Sequence, residues 1–173
     1  MRKGSHRRAG FSLVEVALAL GVAAFCLVAI FGLVPVGINS NKASIEETAA
    51  TNILTSVVSD LRATPNPLPK SSTQKSSVFS IPIPFVGSTA SATPTTLYVG
   101  EDGRCTDEDN KPLDQNSLLA RYQLNVWMTV PAAAGTVMPR TATMARLLMT
   151  WPAKASILNA AGSVETLTAL DRN

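Results

Sequence analysis

Histidine is nearly missing from this chain: the single one, His6, lies within the first ten residues. Beyond that head there is no imidazole for a Ser-His-Asp or Cys-His arrangement, and none for a histidine-based metal site. A pair of carboxylates remains possible on composition, but nothing in the order of residues places two acids around a pocket, so no enzyme is expected and no cofactor is called for. Cysteine is equally scarce, with two in 173 residues. Cys26 sits in an apolar run and Cys105 in a polar stretch. If that run spans a membrane the two sulfurs occupy different phases and cannot meet within one chain. No disulfide framework follows, and Cys105 reads as a free thiol or an occasional intermolecular one. Aromatic residues make up 5% of the chain, without the basic and aromatic interleaving that binds single-stranded nucleic acid. The formal charge of +3 is a property of the head alone. Without Arg2, Lys3, Arg7 and Arg8, the chain carries 11 basic against 12 acidic residues. No basic body is left to engage nucleic acid.

What the chain does have is a long apolar segment with one acid near its start. Ala9-Gly10-Phe11-Ser12-Leu13-Val14-Glu15-Val16 leads into a nearly unbroken apolar run to Ile38. Residues 16–34 hold no charge and, at about 1.5 Å per residue, are long enough to cross a ~30 Å hydrocarbon core. A secretory h-region is shorter, about 7–15 residues. Phe25 before Cys26 argues against a lipoprotein signal. The segment is therefore expected to stay as a single membrane helix. The basic head keeps that end in the cytoplasm, and everything after Ile38 lies outside it. Gly21 and Gly32 permit close approach of another helix or are plain lipid-facing filler. A carboxylate at the centre of a bilayer costs roughly 2.5–3.5 kcal/mol, so Glu15 is expected to have a use.

Pro35 and Gly37 close the run. Proline removes a helical hydrogen bond, so a kink or short melted stretch is expected around Pro35–Asn39, with the helix resuming near Asn41 or Ser44. Ser44-Ile45-Glu46-Glu47 reads as a capping box. Ile45, Ala49, Ile53, Val57 and Leu61 recur every four residues, widened by Leu54 and Val58, with Asp60 among the polar positions. This amphipathic helix, 39–63, ends before Thr64-Pro65 and needs a cover for its stripe.

Residues 64–77 form a Pro- and Ser-rich connector. In 78–173, Phe79, Ile81, Ile83 and Phe85 alternate like an edge strand interrupted by prolines. Ser88–Thr95 reads as a small polar loop, Thr96–Val99 as a strand and Gly100–Arg104 as its turn. Tyr122, Leu124, Val126, Met128 and Val130 share one face of the best strand. Pro131–Arg140 reads as a loop, and Thr143–Trp151 as the strand that returns antiparallel. Val164, Leu167 and Leu170 could add a last short strand or turn. The fold class expected is α+β: a long N-terminal helix, half membrane and half amphipathic, packed on a small antiparallel sheet.

The Gly10-Phe11-Ser12-Leu13-Val14-Glu15-Val16 stretch resembles the processing site of type IV pilins and type II secretion pseudopilins. Those families show glycine, an apolar or aromatic residue, and glutamate at the fifth mature position after a short basic leader. The resemblance covers about the first 40 residues; the wording is most similar to PilV-like minor pilins and the I-type minor pseudopilin. The Leu33-to-Gly37 continuation, the Tyr98-to-Gly103 turn and Trp151-Pro152 also resemble the pilin-like Verru_Chthon cassette B proteins. The resemblance implies that residues 1–10 are a leader removed after Gly10 by a prepilin peptidase, which also N-methylates Phe11. It implies that Glu15 pairs with the N-terminal ammonium of a neighbouring subunit, setting register in a fibre built from the 11–38 helices. A carboxylate and an ammonium that must both leave water gain most by meeting each other. Pro35 fits the proline that pilin helices carry in this region. The partners implied are the peptidase, other pilin or pseudopilin subunits, an inner-membrane assembly platform and the lipid bilayer. The implied location is the inner membrane with an extracytoplasmic head, then a pilus or pseudopilus.

Three further features have plain readings. Asp107-Glu108-Asp109-Asn110-Lys111 invites calcium, but Lys111 stands where an oxygen ligand belongs and no glycine follows, so a solvated loop is expected. Trp127 could be a partner contact, though a strand aromatic covering a helix is the commoner use. Cys105 has no histidine or second cysteine beside it for redox work. The alternative function is a single-pass, membrane-anchored binding module that never enters a filament.

Overall fold

The computed structural model describes residues 10–64, 74–84, 93–130 and 142–170. The leader to Ala9, most of the connector (65–73), Phe85 with most of the polar loop after it, and the 131–141 loop lie outside the described residues. One helix, α1 (Leu13–Ala63), precedes six strands: β1 (Gln74–Lys75), β2 (Pro82–Ile83), β3 (Thr95–Gly100), β4 (Ala120–Thr129), β5 (Thr143–Trp151) and β6 (Gly162–Leu170). The chain divides into two compact units, Met1–Ala43 and Ser44–Asn173, the second called the head below. The α+β class is as expected: a long N-terminal helix packed, in the head, on a small antiparallel sheet.

In the first unit α1 is exposed at every described position of the apolar run. The run does not melt. α1 continues through Pro35 as one 51-residue element, so the melted alternative at Pro35–Asn39 and the second start at Asn41 or Ser44 are not there. The lack of a proline N–H removes one rung of the hydrogen-bond ladder, while its fixed φ is itself helical. With long helical stretches on both sides, one lost rung does not end the helix. The Ser44 capping box is overturned for the same reason. Ser44 is mid-helix, and its carbonyl accepts the Thr48 hydroxyl at 2.8 Å.

In the head, the buried stripe of α1 is Ala50, Ile53, Leu54, Val57, Asp60 and Leu61. The expected ladder from Ile45 is corrected here: Ile45 is 59% exposed and Ala49 only half-buried. At about 100° per residue a strict every-fourth pattern drifts about 40° each step, which carries Ile45 roughly 160° from Leu61. Ala50, by the same arithmetic, lies only about 20° from Leu61. Burial of each large aliphatic side chain in this stripe contributes about 1.5–3 kcal/mol.

The sheet that covers the stripe has the order β3-β4-β5-β6, each neighbour antiparallel. Leu124 faces Met149, and Val126 faces Leu147; these four are buried beside Val99, Tyr122, Ala145 and Leu170. β4 and β5 fall where alternation places them, and they pair as expected. β6 is longer than the sequence suggests, nine residues, and its register differs. Leu167 is 67% exposed, and Thr168 takes the inward position. The spacing of Val164, Leu167 and Leu170 is three, whereas a strand buries every second residue. A small second sheet pairs β1 with β2, so the connector ends in a strand at Gln74–Lys75. Phe79, Ile81 and Ile83 are all buried as their alternation implies, although only Pro82–Ile83 is strand. A turn of Ser77–Phe79 precedes it, with Ser80 at φ 53°. Pro152 follows a cis peptide bond from Trp151.

Candidate assembly segment and the groove of the head

The start of α1 is organised by two residues of the candidate segment. Ser12 precedes the first helical residue, Leu13, and its Oγ accepts the Glu15 backbone N–H at 3.2 Å. Glu15 reaches back, and its Oε2 accepts the Ser12 backbone N–H at 3.0 Å. That reciprocal pair is a capping box, Ser at the cap and Glu three residues on. It satisfies two of the donors a helix leaves open at its N-terminus, and it sets a negative charge at the positive end of the helix dipole. The first backbone rung follows, with Val16 N–H donating to the Ser12 carbonyl at 3.2 Å. The motif is legible in Ser12-Leu13-Val14-Glu15; the sequence reading looks for a cap at Ser44 instead and does not find this one.

Gly10 lies just outside the helix with nothing within 4 Å of where a Cβ would stand. Phe11 is 87% exposed. Gly10, Phe11 and Glu15 thus fall within six residues, accessible and at the open end of one helix. Beyond them, Val14, Leu18, Phe25, Val28, Phe31 and Val36 leave most of their surface uncovered. Soluble domains rarely expose a contiguous apolar surface larger than a few hundred Å². This helix is long and apolar enough to be a single membrane span. Pro35 lies within that exposed run, inside α1.

The head holds one feature that sequence reasoning does not find. Asp60, assigned above to the polar side, is buried. Its carboxylate accepts the Ser77 hydroxyl at 3.0 Å, the Val78 N–H at 3.1 Å and the Phe79 N–H at 3.1 Å. Burial pushes its pKa up, but the bonds from Ser76, Phe79, Val78 and Ser77 together outweigh burial and hold it below the ordinary value. The signal was present: Asp60 lies three residues from Val57 and seven from Ile53, on the buried face. Beside it runs an open groove of about 930 Å³, lined by Asn52, Ser56, Ser59, Asp60, Glu101 and Asp102 among others. The hydroxyls of Thr51, Thr55 and Ser56 are spent on carbonyls one turn back.

The remaining candidates resolve locally. Asp107 Oδ1 accepts the backbone N–H groups of Asp109 and Lys111, and Lys111 Nζ lies 3.8 Å from Asp109. Asp107 is thus turned on its own backbone and Asp109 on a lysine. Among the described residues no group of three or more metal-ligating side chains converges. Cys26 and Cys105 are both free. Burial, then the nearby Asp102, raises the Cys105 thiol to about 11. Trp127 does not cover the helix; it lies on the outer face of the sheet with the Arg146 guanidinium 5.0 Å from its ring centre. Arg146 is held there by Glu165 through bonds of 2.7 and 3.1 Å. At the other side of the sheet Glu46 of α1 pairs with Arg121 at the start of β4. No protein-family model, curated protein or solved structure matches the chain.

Proposed function

We propose that this chain is a prepilin-like structural subunit, not a catalyst. It is inserted in the inner membrane with its N-terminus in the cytoplasm, cleaved after Gly10 and methylated on Phe11. It then assembles through its N-terminal helix into a type IV pilus or type II secretion pseudopilus, the head remaining outside. The observation that carries this reading is the capped helix that follows Gly10-Phe11, exposed along its whole apolar run and holding Glu15 in its first turn. Apart from its chain neighbours, nothing stands within 4 Å of where a Gly10 Cβ would lie, which leaves the bond after it open to a peptidase. An acid at the edge of a long apolar helix needs a partner once it leaves water, and a neighbour's N-terminal ammonium is the matching charge.

Mass spectrometry of the protein from its native membranes tests the reading. The expected species begins at Phe11 with one added methyl group. An intact Met1, or a cut at another bond, overturns it. The open groove beside Asp60 supports a second reading, a membrane-anchored binding module with the same helix but no filament. That reading predicts an uncut chain.

A further inference from the structure

Four large apolar side chains stand in solvent at one end of the head. Leu118 and Leu158 are each 95% exposed, Leu119 is 57% exposed and Ile157 42%. They belong to two loops, one entering β4 at Ala120 and one running from the end of β5 at Trp151 to β6 at Gly162. The loops touch. Gln115 Nε2 donates to the Lys154 carbonyl at 3.3 Å, and Ala153 N–H donates to the Arg121 carbonyl at 3.0 Å. Scattered surface leucines need no explanation, but these are gathered on adjoining loops.

Their end of the sheet is also defined. It is the end where Arg121 pairs with Glu46, two residues after the head begins at Ser44. The opposite end is marked by Arg62 Nη2 donating to the Thr168 hydroxyl at 2.9 Å. The exposed leucines therefore lie at the end where the chain passes into the apolar segment. Even fully extended, the chain from Ile38 to Glu46 reaches no more than about 28 Å.

We infer that Leu118, Leu119, Ile157 and Leu158 insert into the lipid–water interface, seating this end of the head on the bilayer that anchors it. The inference rests on the membrane-spanning part of the proposed function and is independent of cleavage or filament assembly. Interfacial segments bury their apolar side chains about 5–10 Å into the headgroup boundary. Charge favours lipid over a second copy of the chain. Asp107, Glu108, Asp109 and Asp114 outnumber Arg104 and Lys111 on the first loop, so two such ends brought face to face would repel. Zwitterionic headgroups carry no such penalty, and Lys154 on the second loop offers an ammonium to their phosphates.

The test uses the full chain in phosphatidylcholine vesicles, with Cys26→Ala and Cys105→Ser as background. An environment-sensitive fluorophore is placed at Leu118→Cys, Leu158→Cys or, as control, Leu167→Cys on the outer face of β6. Flotation is measured first. The expected result is a floating protein whose labels at 118 and 158 are quenched severalfold more by nitroxide lipids than the label at 167, and severalfold less by aqueous iodide. A floating protein with all three labels equally open to iodide overturns the inference and leaves the proposed anchor standing. Protection that rises with protein-to-lipid ratio without nitroxide quenching assigns the patch to a second copy and also overturns it. A protein that does not float overturns both.

Discussion

Replacing Asp60 by alanine should be among the most damaging single changes in the head. Besides the bond from Ser76, the substitution deletes the acceptor for three donors of the 77–79 turn and leaves Phe79 N–H, which is buried, with no partner. A hydrogen bond to a charged group contributes about 1.5–3 kcal/mol net, and a stranded buried donor costs about 1–3 kcal/mol. The three bonds share one carboxylate and one turn, so they do not add. A loss of about 2–4 kcal/mol follows. At roughly 4 °C per kcal/mol, the unfolding midpoint should drop by about 8–16 °C. Trp127 and Trp151 are both in the head, so tryptophan fluorescence of the full chain in detergent reports its unfolding. The pH dependence has a definite sign. Because the folded pKa of Asp60 is below its ordinary value, its contribution is complete above the unfolded pKa near 3.8. It is lost as pH falls through the folded pKa, and the gap between wild type and Asp60→Ala should close there. Asp60→Asn keeps the shape and one acceptor oxygen and should lose less. If Asp60→Ala unfolds within about 0.5 kcal/mol of wild type, the level of an ordinary surface change, Asp60 does not hold the 77–79 turn.

Gly162→Ala should destabilise the head by about 1–3 kcal/mol through overpacking, because the new Cβ would stand 2.3 Å from the Trp151 ring; an unchanged urea midpoint would show that the pair is not packed as described. Cys105, raised to about 11 by burial and Asp102, should react with iodoacetamide at pH 8 about a hundredfold more slowly than an unperturbed thiol, measured in a Cys26→Ala background; reaction at the free-thiol rate would contradict its burial. Under the proposed function Glu15→Val should still be cleaved but enter filaments poorly, with at least a tenfold loss in the sheared fraction expected if the pair contributes about 1.4 kcal/mol per subunit; normal incorporation refutes the register role. Gly10→Glu should leave the leader attached, and a wild-type processed mass in that variant would remove Gly10 from the cleavage site.

Much of the architecture is legible because the two periods are clean where the elements are regular. Tyr122 to Met128 and Ala145 to Trp151 alternate, and the structure pairs them as alternation requires. The errors share a physical origin. The Ile45 ladder follows a period of four where the helix turns in 3.6, so it starts on the wrong face. Leu167 is counted with Val164 and Leu170 because it is apolar, although a strand puts it on the other side of the sheet. Of the two outcomes expected at Pro35, a kink or a melted stretch, the melted one does not occur, because long helical stretches flank the lost rung. At the candidate segment the sequence identifies Gly10, Phe11 and Glu15 by resemblance, while the bonds of Ser12 follow from a local pattern applied at the wrong place. Asp60 is harder. Helical spacing places it on the buried face, but its partners do not follow: residues 76–79 fold back over α1 from the next segment, and no local pattern contains that contact.

The Ser12–Glu15 cap changes what the acid in the apolar run has to do. Seen from the sequence, Glu15 is a charge that must wait for a neighbour. In the folded chain it already accepts the Ser12 N–H, in the first turn, where the helix dipole favours a negative group. Much of its cost near lipid is thus offset within its own chain. A carboxylate has about four acceptor sites, so this bond leaves capacity for a second donor. Cleavage after Gly10 would put a new ammonium on Phe11, next to the cap, adding positive charge to the positive end of the dipole. Under the proposed function, the carboxylate that caps one helix and the ammonium that burdens the next are complementary before any fibre forms. The pairing between subunits would then serve the ammonium that processing creates as well as the acid, and cleavage, more than insertion, would ready the helix for assembly.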